Sequence, residues 1–416
     1  MVTSRQPALR IAFVMLHTSP LDVPGTKDAG GMNVAVRAQA EALADAGHEV
    51  RILTRRADPE SPVRVETRQN LTVVHLDAGP ARLLAKGDHE SVMDDFGRAL
   101  AAELEAYPAD LLHAEHWFSG IAALPVAHAL SIPLVQSYHS IAAPAESPLG
   151  DGERAESPGR EAGEQRLARE ADLLLAVSEA ERRTIERRLG GDPERIAVVP
   201  LGVDTERFHP CETAECAEQR DWIERGGRPE VIVVGRLHPL KGFDLAVAAI
   251  SLIAAERRPV LRIVGAPPPD GDDYARALHA AVVDAGMVST TAFDGALRRT
   301  ELAERIRQAD LMLVPSHTET FGLVALEAAA SGVPVIAREV GGLREAVRDG
   351  VTGVLLPDGA SAEAWADEIE VLLRDRVRLE RMGEEARRFA LAHGWDRSAE
   401  HLLAAYRTLL DRTNCP

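Results

Sequence analysis

Short apolar runs recur along the chain, each followed by a polar loop and then by a segment with apolar positions at helical spacing. Arg10–Leu16 (RIAFVML) predicts a first strand, His17–Gly31 a long loop, Met32–Ala46 a helix closed by Gly47, and Glu49–Thr54 a second strand. That βαβ opening predicts a doubly wound domain. Val63–Asp77 carries two strand-like runs around Gln69-Asn70, and Ser91–Ala106 reads as a helix. Further strands are expected at Asp110–His113, Pro133–Tyr138, Asp172–Val177 and Arg195–Pro200, with helices at Gln165–Glu170 and Glu179–Leu189. A second alternating series has strands at Val231–Val234, Val260–Val264, Thr291–Phe293, Leu311–Pro315, Val335–Ala337 and Val354–Leu356. Ser361–Ala392 is helical, and Trp395–Asp411 forms a last amphipathic helix with Leu402, Leu403, Tyr406 and Leu409 on one stripe.

The pattern predicts an α/β chain of two doubly wound domains, 1–200 and 231–392, joined by a linker at 201–230 and followed by a tail helix at 393–416. A length of 416 residues suits two domains. Ala142–Glu164 is poor in apolar residues and rich in Pro, Gly and Glu, so it is expected to be mobile when the protein is empty.

Charge narrows the partners. With 65 acidic against 47 basic residues the net charge is −18, which argues against nucleic acid and against docking on anionic lipid. No apolar run approaches membrane-spanning length and none resembles a secretory signal, so a cytoplasmic protein is expected. Cys211, Cys216 and Cys415 lack partners at zinc spacing and read as reduced thiols, with no metal site.

Two stretches carry chemistry. Ala309–Ala337 (ADLMLVPSHTETFGLVALEAAASGVPVIA) reads strand, loop, helix, strand. Open parallel sheets bind ligands beyond their strand ends, and a helix amino terminus there suits a phosphate. Glu319 precedes that terminus and Glu327 lies inside the helix, so the two can bracket one bound molecule. Val231–Gly242 (VIVVGRLHPLKG) is a strand running into a loop with Arg236 and Lys241. Alone these are two cations at a strand end; beside the Glu pair they can neutralise a diphosphate leaving group without a metal.

E-T-F-G-L-V-A-L-E and G-R-x-x-P-x-K-G together resemble the donor site of retaining glycosyltransferases of the GT-B fold. The resemblance implies two Rossmann-like domains facing a central cleft, with the last helix crossing back onto the first domain. It implies a UDP-sugar held by Arg236, Lys241, Glu319, Phe321, Gly322, Leu323 and Glu327. Glu319 would meet the sugar at the reaction centre, and Glu327 would hold the ribose. H-T-S-P-L-x-x-P-G-x-x-D-A-G-G-M-N-V at His17–Val34 is similar to the D-inositol 3-phosphate glycosyltransferases of mycothiol biosynthesis, over nearly the whole chain. That family transfers N-acetylglucosamine from UDP-N-acetylglucosamine to 1D-myo-inositol 3-phosphate with retention.

By position, the resemblance places His17, Asp28, Gly30, Gly31, Met32, Asn33, Lys86, His116, Ser140 and Arg160 at the acceptor, with Lys86 and Arg160 on its phosphate. Gly31 would lie against the donor diphosphate and His139 near the transferred sugar, making Glu319, His139, Arg236 and Lys241 the catalytic set. No cofactor is expected beyond the co-substrate, Mg²⁺ is not needed by the fold, and the family's habit suggests a homodimer. The chain departs from the family at His116 (an aromatic Tyr in the family's H-x-H-Y-W-x-S-G), at Ser140 (a Thr), at Pro144-Ala145-Glu146, and at Leu297, where an Arg lies against the uracil; Arg298 beside it is expected at the donor instead. A related retaining glycosyltransferase with another donor or acceptor is therefore an open alternative. A nucleotide-sugar sensor, or an epimerase or phosphorylase of the same fold, fits the intact donor motif less well. A front-face route is open for the reaction, and no carboxylate stands out for a covalent intermediate.

Overall fold

The computed structural model describes residues 7–22, 30–211, 227–267 and 272–413. Asp28, Cys216 and Cys415 lie outside the described residues.

The first sheet contains β1 (Arg10–Met15), β2 (Glu49–Arg55), β3 (Arg64–Arg68), β4 (Leu71–Leu76), β5 (Leu111–Glu115), β6 (Leu134–Ser137), β7 (Leu173–Ala176) and β8 (Ile196–Val198). The second contains β9 (Glu230–Val234), β10 (Val260–Val264), β11 (Thr291–Gly295), β12 (Leu311–Val314), β13 (Val335–Arg338) and β14 (Gly353–Leu356). Their orders are β3-β4-β2-β1-β5-β6-β7-β8 and β11-β10-β9-β12-β13-β14. Every pairing is parallel except β3 with β4, the antiparallel edge of the first sheet. Both orders reverse direction beside their first strand, at β1/β5 and at β9/β12, and the crevices where doubly wound sheets bind ligands open there.

Strand periodicity explains the layers. Ala12 and Val14 of β1 enter the core on one face of the first sheet, while Ile11, Phe13 and Met15 enter the other. In the second sheet Met312 and Val314 of β12 go to one side and Leu311 and Leu313 to the other. Strands buried on both faces have to be apolar throughout, and this is the pattern that makes them legible.

Among the described residues the chain passes between the two units near Val203 and again near His393, and these passages run side by side. The Val203 amide donates to the His393 carbonyl at 2.9 Å, and a Cβ on Gly202 would stand 2.7 Å from the Trp395 backbone. The tail helix Trp395–Thr413 then packs on the helix Gly31–Asp45 and places Ala399, Leu402, Leu403, Tyr406 and Leu409 in the core of the first unit. The long helical region ahead of it is two helices, Ala362–Arg374 and Arg376–Leu391, because Asp375 stops one and caps the next by accepting from the Arg378 amide.

Two expectations are corrected. Cys211 is disulfide-bonded and is not a reduced thiol. Ala142–Glu164 carries more structure than its composition suggested, and its helix starts earlier. Its alanines Ala142 and Ala143 are buried, Leu149–Asp151 forms a tight turn, and a helix begins at Arg160, five residues ahead of the expected start at Gln165. The polar residues that made the stretch look mobile are those that pin it, through Glu153, Glu156 and Arg160.

Candidate active site

One cavity of about 670 Å³ lies between the two sheets, lined from both at their switch points. The first sheet contributes His17 after β1, His116 after β5 and His139 and Ser140 after β6. The second contributes Arg236 and Lys241 after β9, and Ser316 and Thr318 to Gly322 after β12. Gly30, Gly31, Met32, Lys86, Glu319, Phe321, Leu323 and Glu327 also line it. Motifs more than two hundred residues apart in the chain therefore share one cleft.

On the second unit, the helix Leu323–Ala330 points its amino terminus into the cavity. Gly322 caps it with φ +100°, and a Cβ there would stand 2.8 Å from the Leu343 side chain, so the position requires glycine. The loop ahead is fixed from behind, because the Gly342 amide donates to the Glu319 carbonyl at 2.8 Å. Lys241 Nζ donates to Glu319 Oε2 at 2.7 Å. Glu327 is buried and accepts from Arg299 at 2.5 Å; the Arg299 guanidinium also lies 4.7 Å from the buried Phe208 ring.

Arg298 does not take the place expected of it. Its backbone and side chain bond Glu301 at the start of the helix Arg299–Gln308, on the exposed surface, whereas Leu297 and Arg299 face the cavity. A helix start turns successive side chains about 100° apart, so the neighbour of an expected residue can be the one that faces the site.

On the first unit, His116 and His139 both adopt left-handed backbone conformations, with φ +70° and +59°. Non-glycine residues held this way are costly and gather at functional sites. His139 pairs through Nε2 with Glu115, the last residue of β5. Burial pulls the His139 imidazolium down, but the charge and hydrogen bond of Glu115, with Glu181, outweigh it and raise the group above the ordinary histidine value. Burial pushes the Glu181 carboxyl up to about 7, against the Val177 amide and His139, which lower it. The His139 carbonyl accepts from Thr320 Oγ1 at 3.0 Å, which ties the first unit to the Glu319 loop across the cleft.

The His17 and His116 rings lie 4.5 Å apart with their planes tilted by 45°. Nδ1 of His17 and both ring nitrogens of His116 are buried without a protein partner. Burial, with Lys86 and Arg160 adding repulsion, holds both rings well below the ordinary value and keeps them neutral. Asn33 lies under the loop instead of in the cavity lining: its amide bonds Thr18 Oγ1 at 2.8 Å and the Ser19 carbonyl at 2.8 Å, while its side-chain oxygen accepts from the Gly30 amide at 3.2 Å.

Arg160 is fully buried. It donates to Glu164 at 2.8 Å, to the Ser140 hydroxyl at 2.9 Å and to Glu156. Lys86 reaches Glu153 at 3.4 Å and Arg236 reaches the same carboxylate at 3.0 Å, while Arg160 stands 4.0 Å from it. Cations from both units thus meet on one acid. Burial would push the Glu153 carboxyl up, but Lys86, Arg236 and Arg160 overcome it and hold it far below the usual carboxylate range.

Sequence reasoning missed Glu115, Glu153 and Arg299. The signal for Glu115 was present, since H-A-E-H-W puts it where the related motif H-x-H-Y-W has a histidine. Glu153 gave none, because its partners lie at sequence distances of 67 and 83 residues.

Comparison with known proteins agrees with this geometry. The family described as "Family 4 Glycosyltransferase in conflict systems" matches residues 25–402. A D-inositol 3-phosphate glycosyltransferase of Kribbella flavida is 38% identical over 415 residues, 97% of this chain and 96% of that protein. The protein of the same name from Kineococcus radiotolerans is 39% identical, over 96% of this chain and 95% of its own. Among solved structures, sucrose-phosphate synthase of Thermosynechococcus elongatus superposes with a TM-score of 0.86 at 29% identity, covering 97% of this chain and 99% of that one. Anabaena Alr3699/HepE, solved with UDP and glucose, superposes with a TM-score of 0.75 at 20% identity over 96% and 99% of the two chains, a likeness of fold. No helix among the described residues is long and apolar enough to cross a membrane. This chain is a GT-B enzyme and belongs to the family 4 glycosyltransferases.

Proposed function

We propose that the enzyme transfers N-acetylglucosamine from UDP-N-acetylglucosamine to 1D-myo-inositol 3-phosphate, with retention at the anomeric carbon. The names of relatives 38–39% identical over nearly the full chain support the acceptor, and the resemblance of the donor motifs supports the UDP-sugar. One observation in this chain carries it: Lys86 and Arg160 converge on a single anionic group beside the cavity, next to the donor-side Arg236. An acceptor phosphate fits such a seat, with the hydroxyl of Ser140 and the open ring nitrogens of His17 and His116 left for the polyol.

In this reading residues 1–200 hold the acceptor and 231–392 the donor, with 201–230 as the linker between them and 393–416 tying the tail back to the acceptor side. The diphosphate lies against Gly31, Arg236, Lys241 and the amides at Gly322. Glu327 takes the ribose hydroxyls and Glu319 the sugar. Bond breaking places negative charge on the departing phosphate, and Arg236 and Lys241 stabilise it, which supplies the main catalytic effect. Closing the units about the paired crossings excludes water. On a front-face route the departing phosphate takes the proton of the acceptor hydroxyl, while His139, charged through Glu115, faces the sugar.

A second reading keeps the donor and changes the acceptor. Glu115 and His116 at the end of β5 differ from the related motif, and the matching family is described by its occurrence in conflict systems. Product analysis separates the two: incubation with UDP-N-acetylglucosamine and inositol 3-phosphate yields an α-linked conjugate if the first holds. No conjugate, with UDP still bound in the cleft, favours the second.

A further inference from the structure

We propose that Glu153 is a built-in occupant of the phosphate seat, a carboxylate that neutralises the cleft cations in the empty enzyme and must be displaced before substrate phosphate binds. The inference rests on the reading of Arg236 as a diphosphate ligand and Lys86 as an acceptor-phosphate ligand.

The three cations differ in how much they depend on Glu153. Arg160 keeps Glu156, Glu164 and both oxygens of Ser140 whatever Glu153 does. Lys86 and Arg236 have Glu153 as their side-chain partner, at 3.4 Å and 3.0 Å. The two groups assigned to substrate phosphates, one from each unit, are thus both committed to one internal acid. Burial alone would favour the neutral acid, yet the surrounding cations keep Glu153 ionised, so it competes as an anion throughout the neutral range.

The loop that presents Glu153 is built and anchored on the first unit. Gly152 has φ +128°, and a Cβ there would stand 3.0 Å from the Ile141 carbonyl. The Ala143 amide donates to the Glu153 carbonyl at 2.7 Å, and Arg188 bonds the Asp151 carbonyl at 2.8 Å and the Ala142 carbonyl. None of these anchors uses the Glu153 side chain. It can therefore rotate away with the backbone in place, while a phosphate, with more charge and more acceptor oxygens, takes Lys86 and Arg236.

Calorimetric binding of inorganic pyrophosphate, UDP and uridine to the full chain tests this, for the wild type, Glu153→Gln and Glu153→Ala. Removing a competing charge is expected to tighten pyrophosphate and UDP at least about fivefold in both variants. Uridine, which lacks phosphate, is expected to bind all three proteins equally, which also reports an intact fold. Unchanged or weakened pyrophosphate binding in the variants would overturn the proposal and make Glu153 a prop that orients the cations. If wild type binds neither UDP nor uridine, the donor reading fails, and the pyrophosphate comparison still decides the role of Glu153.

Discussion

Lys241 and Glu319 meet at 2.7 Å, although one follows the first strand of the second sheet and the other its fourth. The pair stands at the β9/β12 switch point and joins the two motifs to which we assign the donor. In the empty cleft each neutralises the other. With a nucleotide sugar bound, Lys241 can turn to the diphosphate and release Glu319 to the sugar.

Replacing Lys241 by Ala should remove leaving-group stabilisation, and replacing Glu327 by Ala should remove the ribose contact. Each is expected to lower turnover at least about a hundredfold. Steady-state rates of UDP formation check this, and a near-normal rate in either variant would refute its assigned role.

The two neighbouring arginines should separate cleanly. Arg299→Ala deprives Glu327 of its 2.5 Å partner and is expected to raise the donor KM about tenfold, the worth of one charge-assisted hydrogen bond. Arg298, paired with Glu301 on the surface, should tolerate Ala with the donor KM within about twofold. Equal effects of the two substitutions would contradict the placement of the helix start.

His17 and His116 predict acid sensitivity. Both are held well below their ordinary value of 6.5 in the fold. The unfolded chain therefore binds more protons between 6.5 and those lower values, and stability rises with pH across that window. The contribution is complete above 6.5 and is lost as pH falls toward the folded values. Thermal unfolding followed against pH should show this decline, and His116→Asn, which removes a titrating ring while accepting the backbone conformation, should make it shallower. An unchanged slope would contradict the burial argument.

The tail helix is fastened by a polar bond as well as by its apolar stripe. Tyr406 and His113 Nδ1 lie 2.7 Å apart in the core, and His113 Nε2 continues to Ser137 Oγ at 2.8 Å. Tyr406→Phe leaves His113 short of a partner and is expected to cost about 1–3 kcal/mol in urea unfolding. No loss would mean that the Tyr406–His113 bond does not help to dock the helix.

How far the sequence spoke depends on range. Runs such as Leu311–Val314 are buried on both faces and had to be apolar, so the strands and their alternation with helices were plain. Gly322, Glu319 and Glu327 were readable because their roles follow from one local strand–loop–helix unit. Arg160 was named, but its setting was not: the charged stretch around it suggested mobility, and only the fold shows Glu156, Glu164 and Ser140 closing over it. Glu153 and Arg299 stayed silent because their meaning lies in partners that tertiary packing supplies. Cys211 was misread for the same reason, since spacing alone does not reveal a disulfide.

The most direct test of the central claim is UDP release from UDP-N-acetylglucosamine, measured with and without 1D-myo-inositol 3-phosphate. Release that depends on the acceptor and saturates with it is the predicted result. Slow release that the acceptor does not change would contradict this substrate pair, leave the family 4 glycosyltransferase intact, and turn the search to other acceptors for the pocket of His17, His116 and Ser140.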